Sequence, residues 1–287
     1  MTLLTALGLS ACASLFKPEP TLTPTATFTP EPPTATPEPL ALTVNGEGIT
    51  LVEFDAQVAS YTKAQEALGK TVSSANATSA IIEDLTAQVL LAQGARTDGF
   101  SLDEAGLQSR IDSLAAQIGG AQNLSKWQAD HGYNEQTFRS ALRRSAESAW
   151  MRDKVIAEVP STAEQVHVQQ ILLYNQDTAE SFLAQLNAGT DFDELALRAD
   201  PLTRGDLGWI PRGYLLDSKI EEAAFGLGVG DHSAVISTDV GFHIIRVLER
   251  DPNHPLSPDA YLALQELALK NWIDQQRQQA NIVLAPS

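Results

Sequence analysis

Cysteine and basic residues are scarce in this 287-residue sequence. Its single cysteine, Cys12, excludes a disulfide within the chain. The 19 Lys and Arg residues stand against 36 Asp and Glu, which gives a formal net charge of −17. Because nucleic-acid binding needs basic side chains that neutralise phosphates, this charge argues against a nucleic-acid partner, and also against electrostatic adhesion to anionic lipid. The charge disfavours self-association, and the length predicts one or two domains.

Sequence patterns for metal, nucleotide and acyl-transfer chemistry are also missing. The chain contains no HExxH, GxSxG, P-loop or CxxC pattern. No apolar run reaches the roughly 20 residues that a membrane-spanning helix needs. We therefore expect no metal and no cofactor. The five histidines, none at metal-ligand spacing, are His131, His167, His232, His243 and His254.

The N-terminal segment is typical of an export signal. Residues 1–16 are apolar but too short to span a bilayer, and they lack the usual positive residues at the start. Leu9-Ser10-Ala11-Cys12 resembles a bacterial lipobox, in which the cysteine is lipidated and becomes the mature N-terminus. The alternative is a small buried cysteine. We expect residues 1–12 to be a lipoprotein signal peptide and Cys12 to carry a lipid anchor.

Residues 13–41 are rich in proline and threonine and cannot bury a core. Their prolines favour extended polyproline II, which rises about 3.1 Å per residue. This linker is therefore predicted to be a semi-rigid stalk between the anchor and the folded part.

Residues 42–160 predict a short hairpin followed by helices. The hairpin turns at Asn45-Gly46, and Thr50-x-x-Glu53 is a capping box that opens the first helix. Ser101-x-x-Glu104 and Asn134 are expected to cap two later helices.

From residue 164 to 251 the pattern changes to strand, helices, strand, helix and two strands. The first strand is predicted at 165–174 and the last at 241–249, with a strand at 233–236 before it. Asp177 and residues 221–225 mark predicted helices between them.

Two motifs in this region resemble the signature of parvulins, a family of peptidyl-prolyl cis/trans isomerases. They are GDLGWIPRG at 205–213 and, about thirty residues further on, TDVGFHII at 238–245. Upstream, TVNGEGITLVEF at 43–54 and GYNEQTFR at 132–139 resemble the N-terminal domain of SurA-like and PrsA-like chaperones. The resemblance implies an α+β protein in which a parvulin domain, a small antiparallel sheet flanked by helices, interrupts a chaperone domain.

Residues 256–287 have no role in a parvulin. Ser257-Pro258 is a favourable helix start, and the helix runs to about residue 280 before the short strand 282–284. By resemblance this segment completes the mostly helical, discontinuous chaperone domain, so residues 282–284 are expected to pair with 42–44.

The resemblance also assigns a site for the proline ring. Its apolar lining would be Ile210, Leu215, Ile220 and Phe225. The alternative for each of these residues is ordinary core packing.

The polar side of the site follows in the same way. His243 matches the family's histidine in the last strand, Thr238 a residue that bonds beside it, and Asp200 a Cys or Asp position. Two positions depart from the family, since Gln170 stands where a histidine is usual and Val240 where a small hydroxyl residue is usual. His167 cannot replace Gln170, because its odd spacing places it on the opposite face of a strand.

These features predict an extracytoplasmic, lipid-anchored isomerase and foldase that acts on X-Pro bonds of unfolded or newly secreted polypeptides. The alternative is a catalytically weak parvulin that works as an ATP-independent holdase. A purely structural surface protein is a third possibility, against which the paired motifs argue.

Overall fold

The computed structural model describes residues 38–215 and 217–285. Cys12, the predicted signal peptide and most of the predicted linker lie outside these residues. Within the described ranges, none of the helices has the length and apolarity to cross a membrane. The chain forms two groups of elements, which we call the helical body and the sheet body.

The helical body begins and ends the described chain. As predicted, the Thr50 hydroxyl accepts a hydrogen bond from the Glu53 N–H, and Asn134 caps a long helix with a reciprocal capping box. Its elements are β1 (Leu40–Val44), β2 (Glu47–Thr50), α1 (Leu51–Ala67), α2 (Ser74–Thr97), α3 (Glu104–Gln117), α4 (Ala121–Asp130), α5 (Glu135–Ala157), α9 (Pro258–Gln279) and β7 (Ile282–Leu284).

The two ends of the chain meet in a three-stranded sheet of order β2-β1-β7. The predicted pairing is present, with Val44 opposite Ile282 and Leu42 opposite Leu284 in antiparallel register. Leu42 and Val44 are buried against residues of α2, so the last strand closes the core that the first strand begins. This closure makes the helical body discontinuous in sequence.

Helix α9 lies against α2 and α5 at short distance. A Cβ atom on Gly94 of α2 would lie 2.7 Å from the Trp272 ring, so only glycine admits the indole at this approach. The C-terminal helix is thus packed into the helical body.

The sheet body contains the four-stranded antiparallel sheet of order β4-β3-β6-β5. The mixed α+β fold with an inserted small sheet is therefore as predicted. Its elements are β3 (Thr162–Leu173), α6 (Gln176–Asn187), α7 (Phe192–Ala199), β4 (Asp206–Pro211), α8 (Ser218–Gly226), β5 (Ile236–Ser237) and β6 (Phe242–Pro255).

The two faces of this sheet carry separate cores. On one face, α8 covers Val166, Ile245 and their neighbours. On the other, α6 and α7 cover Ile171 and Ile244. Side chains alternate between the faces along each strand, so residue parity decides which core a side chain joins.

Some predicted boundaries were wrong. Asp103, not Ser101, caps α3, because its carboxylate accepts the Gly106 N–H. Likewise Asn175, not Asp177, caps α6.

Strand lengths also differ from the predictions. The strand predicted at 233–236 is only two residues long, Ile236–Ser237. The Ser233 N–H donates to the Ile245 carbonyl, but no continuous strand pairing forms there. Strand β6 runs on to Pro255 because β3 pairs with it along its whole length. The helix predicted at 221–225 begins earlier, at Ser218.

Candidate active site

His243 lies near the start of β6, on the sheet face that α8 covers. Its register partners are Leu172 on β3 and Ile236 on β5, so the imidazole stands between two apolar neighbours. The residue is 5% exposed. Strand pairing on both sides therefore holds the ring in a fixed position.

Two hydrogen bonds fix the protonation of this imidazole. Nδ1 lies 3.1 Å from Gln170 Oε1, and Nε2 lies 3.0 Å from Thr238 Oγ1. An amide oxygen only accepts, so Nδ1 carries the proton and donates it, and Nε2 accepts from the Thr238 hydroxyl. We call Gln170, Thr238 and His243 the polar cluster.

Thr238 is itself held by a tight turn. Its N–H donates to the Gly241 carbonyl at 2.9 Å, and its hydroxyl oxygen accepts from the N–H groups of Val240 and Gly241. The hydroxyl also lies 3.3 Å from the Gly241 carbonyl oxygen, and the turn fixes it beside Nε2 of His243.

Burial lowers the pKa of His243 below its usual value, because desolvation penalises the charged imidazolium. The Asp217 carboxylate opposes this shift but does not cancel it. His243 is thus neutral at pH 7. Asp217 was not among the predicted site residues, although an Asp followed by helical residues is a capping signal, and its side chain caps α8.

Gln170 is fixed from the other side by Gly205. The Gln170 N–H donates to the Gly205 carbonyl at 2.8 Å. A Cβ atom on Gly205 would lie 1.8 Å from the Gln170 carbonyl oxygen, and the residue has φ +69°. The first glycine of the GDLGWIPRG motif is therefore required for the close approach of two backbones.

Asp200, assigned by resemblance to the family's Cys or Asp position, lies at the end of α7. Its carboxylate accepts from the N–H of Leu202 at 2.9 Å and of Thr203 at 3.2 Å, and from the Thr203 hydroxyl. The Thr203 hydroxyl oxygen accepts from the Gly205 N–H at 3.1 Å. These bonds lower the pKa of Asp200, with the Thr203 hydroxyl contributing most. Asp200 shapes the turn before Gly205, and its recorded side-chain hydrogen bonds are all within that turn.

The four residues predicted to line the proline slot share one cluster on the α8 face, but with different exposure. Ile210 is 1% exposed, and Ile220 and Phe225 are also buried. The Arg212 guanidinium lies 3.9 Å from the centroid of the Phe225 ring and covers it. Only Leu215 of the four is half-buried. Leu207 and Ile236 are half-buried as well and pack against the same cluster.

This distribution separates packing from accessible surface. A side chain without exposed surface cannot touch a ligand unless the core opens. Leu207 and Ile236, which the sequence analysis did not select, therefore have more surface for a proline ring than Ile210 or Phe225. The sequence signal that could have found them is their apolar character, with Leu207 next to a glycine in β4 and Ile236 in the short strand β5.

His167 lies apart from the polar cluster, as its parity predicted. Its Nε2 lies 2.8 Å from Asp206 Oδ1, and its ring stacks on Trp209. Trp209 in turn stacks on His254 at 3.9 Å between centroids. Among the described residues, no group of three or more His, Cys, Asp or Glu has the geometry of a metal site.

The arrangement suits a rotation about an amide bond. A neutral, oriented set of donors and acceptors lies on a dry sheet face beside half-buried apolar side chains. Such a surface can hold an apolar ring and hydrogen-bond a twisted amide without any nucleophile.

The sheet body matches a known family. Residues 154–251 match the family described as "PPIC-type PPIASE domain".

Two curated relatives are named "Foldase protein PrsA". The one from Geobacillus sp. (strain WCH70) is 27% identical over 62% of this chain and 65% of that protein. The one from Geobacillus kaustophilus is 28% identical over 75% of this chain and 72% of that protein. The chain thus spans slightly less than two thirds of the first relative.

A third relative and one solved structure complete the comparison. "Chaperone SurA" of Methylobacillus flagellatus is 31% identical over 43% of this chain and 33% of that protein. The crystal structure of a peptidylprolyl isomerase (PrsA) from Bacillus cereus covers 81% of this chain and 83% of that one, with 20% identity and a TM-score of 0.44.

Proposed function

We propose that this chain, whose residues 154–251 form a PPIC-type peptidyl-prolyl isomerase domain, is a foldase that accelerates cis/trans isomerisation of X-Pro bonds in unfolded polypeptides. The observation that carries the proposal is the neutral His243, held between Thr238 and Gln170 beside the half-buried apolar residues. The relatives named as foldases and chaperones support unfolded polypeptides as substrates.

The barrier to this reaction is the partial double bond of the amide, about 18–20 kcal/mol. A catalyst lowers it by binding the twisted amide better than either planar form. In the twisted state the carbonyl oxygen loses conjugation and the imide nitrogen becomes pyramidal. A dry surface that leaves the carbonyl oxygen unsolvated, with a hydrogen-bond donor directed at the nitrogen, favours that state, because the nitrogen lone pair is free only when the amide is twisted.

Gln170 is the residue that we assign to the nitrogen of the twisted amide. Its Oε1 holds His243, and among the described residues its NH₂ group has no hydrogen-bond acceptor. Gln170 is half-buried, and its NH₂ group can donate to the amide nitrogen, whose lone pair becomes available as the amide twists. Thr238 and His243 act as positioning residues that hold the Gln170 amide in one orientation. We place the proline ring against the half-buried Leu207, Leu215 and Ile236, with Asp200 shaping the turn before Gly205.

A protease-coupled assay with X-Pro tetrapeptides tests the activity. The purified chain should exceed the uncatalysed rate, and His243→Ala should lose most of the acceleration while keeping the folded circular-dichroism spectrum. Gln170→His, which restores the residue usual in parvulins, is the matched variant and should stay active. No acceleration by a folded wild-type chain would reject the proposal.

Holdase function is the second candidate, and the replacement of two family positions by Gln170 and Val240 favours it. The helical body also offers two clefts, of about 370 and 510 Å³, on either side of Trp272. Aggregation suppression by a variant lacking residues 165–251 separates the candidates. Full protection would place client binding in the helical body, and complete loss would place it in the sheet body.

The location of the protein follows from its N-terminal segment. We propose that the chain acts outside the cytoplasm, anchored through lipid on Cys12. Metabolic labelling with palmitate should mark the wild type and not Cys12→Ala. Equal labelling of both would reject the anchor.

A further inference from the structure

Two large apolar side chains are exposed beside the polar cluster. Tyr174, which follows β3, is 79% exposed, and Val240, in the turn between β5 and β6, is 65% exposed. Both border Gly241. The Val240 N–H donates to the Thr238 hydroxyl oxygen at 3.2 Å, and a Cβ on Gly241 would lie 3.5 Å from Tyr174 Cδ1. Tyr174 and Val240 are therefore rim residues of the candidate site.

Isolated exposed apolar residues are common on protein surfaces and need no explanation. Here, however, the two lie on backbone segments that meet at Gly241. Leu172 on β3 is the register partner of His243 on β6. Its Cδ1 lies 3.0 Å from the same Gly241 Cβ position and extends the apolar surface inward. The valine also occupies a position where parvulins usually have a small hydroxyl side chain.

Charge near this rim is mostly negative. Asp239 is exposed next to Val240, and Asp217 is close enough to act on His243. Lys219 also reaches this turn, where its Nζ donates to the Ser237 carbonyl at 3.0 Å. An acidic substrate side chain would therefore meet two carboxylates and an apolar surface, whereas an apolar one would be desolvated favourably.

Substrate geometry indicates which residue lies on the rim. The amide that rotates joins the residue before proline to the proline nitrogen, and that amide must reach the polar cluster. Consecutive Cα atoms are about 3.8 Å apart across a trans peptide, so the side chain of the same residue cannot be far from the cluster. Val240, which bonds to Thr238, is then within its reach.

We propose that Tyr174 and Val240 form the subsite for the side chain before proline, and that this subsite selects large apolar residues over acidic ones. The proposal rests on the isomerase function proposed above. It assigns a substrate preference to residues in which this chain differs from the usual parvulin pattern.

The test compares Ala-Xaa-Pro-Phe peptides in which Xaa is Leu, Phe, Ala or Glu. In the wild type, kcat/KM for Leu should exceed that for Glu about tenfold or more, as expected for burial of one large apolar side chain. Val240→Asp should reduce this Leu-to-Glu ratio about tenfold, and Tyr174→Ser should reduce it in the same direction.

Val229→Asp is the matched control. Val229 is 60% exposed in the turn before Asp231, where Gly230 bonds to Val247, four residues along β6 from His243. This control should leave the Leu-to-Glu ratio unchanged. A wild-type ratio near one, or an equal effect of the two aspartates, would overturn the proposal.

A binding measurement separates this proposal from the catalytic one. Titration of the ¹⁵N-labelled chain with the Leu and Glu peptides reports on the amides of Tyr174 and Val240 without turnover. If no peptide is isomerised, the proposed activity fails. Larger shifts with the Leu peptide would still support the subsite, and absent or equal shifts would refute it.

Discussion

Replacement of Gly205 by alanine is the sharpest test of how the fold builds the polar cluster. The added Cβ would lie 1.8 Å from the Gln170 carbonyl oxygen and 2.9 Å from its carbonyl carbon, both backbone atoms that cannot rotate away. The strands must therefore separate, which breaks the 2.8 Å bond from the Gln170 N–H to the Gly205 carbonyl. Because the broken bond belongs to the backbone of Gln170, the same change displaces the Gln170 side-chain amide that holds His243.

The cost has two parts. Alanine at φ +69° costs about 1–2 kcal/mol in the left-handed region. The broken hydrogen bond with a buried, unpaired N–H adds about 1–3 kcal/mol. We expect Gly205→Ala to lower the free energy of unfolding by about 2–5 kcal/mol in total.

Gly208→Ala is the control, since Gly208 has φ +70° and no atom within 4 Å of its Cβ position. It should cost only the conformational part, about 1–2 kcal/mol. Urea unfolding followed by near-ultraviolet circular dichroism measures both, and isomerisation of an X-Pro peptide measures the functional loss at low denaturant. Equal destabilisation by the two substitutions, or full activity in a folded Gly205→Ala variant, would refute the reasoning.

Three further predictions concern titration and packing. Because burial lowers the pKa of His243, the stability that its neutral form contributes is present above the unfolded-state pKa of about 6.5 and is lost as pH falls through the lower folded-state pKa. The polar cluster uses the neutral imidazole, so kcat/KM should be flat above a pH of about 6.5 and decline only on the acid side. Gly94→Ala should lower the Tm by several degrees, since its Cβ would lie 2.7 Å from the Trp272 ring. Arg144→Met should destabilise by about 3–5 kcal/mol in urea, because it leaves Glu53 buried without its ion-pair partner.

Each of these has a comparison that decides it. A His243→Gln variant should lose the acid-side change in unfolding free energy. Gly226→Ala, whose Cβ meets nothing within 4 Å, should not share the Tm loss of Gly94→Ala. Burial also raises the pKa of Glu53 although Arg144 opposes the shift, so the stability of Arg144→Met should recover partly at acid pH, as the orphaned carboxyl becomes neutral. A pH-independent loss in that variant would contradict the ion-pair account.

Local physics made much of the chain readable from its sequence. The Thr50 and Asn134 caps, the Asn45-Gly46 turn and the Ser257-Pro258 helix start are determined by a few adjacent residues, and each is where it was predicted. The glycine-rich motif identified the domain because close backbone approach excludes every other residue at Gly205. The alternation of side chains along β3 likewise places His167 and Gln170 on opposite faces from the sequence alone.

Only the tertiary structure decided which side chains meet. The contact of His243 with Gln170 depends on the register of β3 with β6 over a separation of 73 residues, and two irregularities interrupt that register. Exposure is equally non-local: the sequence could not distinguish Phe225, covered by Arg212, from half-buried Leu207. Capping and turn energies depend on a few adjacent residues, so they can be predicted from the sequence. Burial and strand register depend on segments far apart in the chain, so the site forms only when those segments pack together.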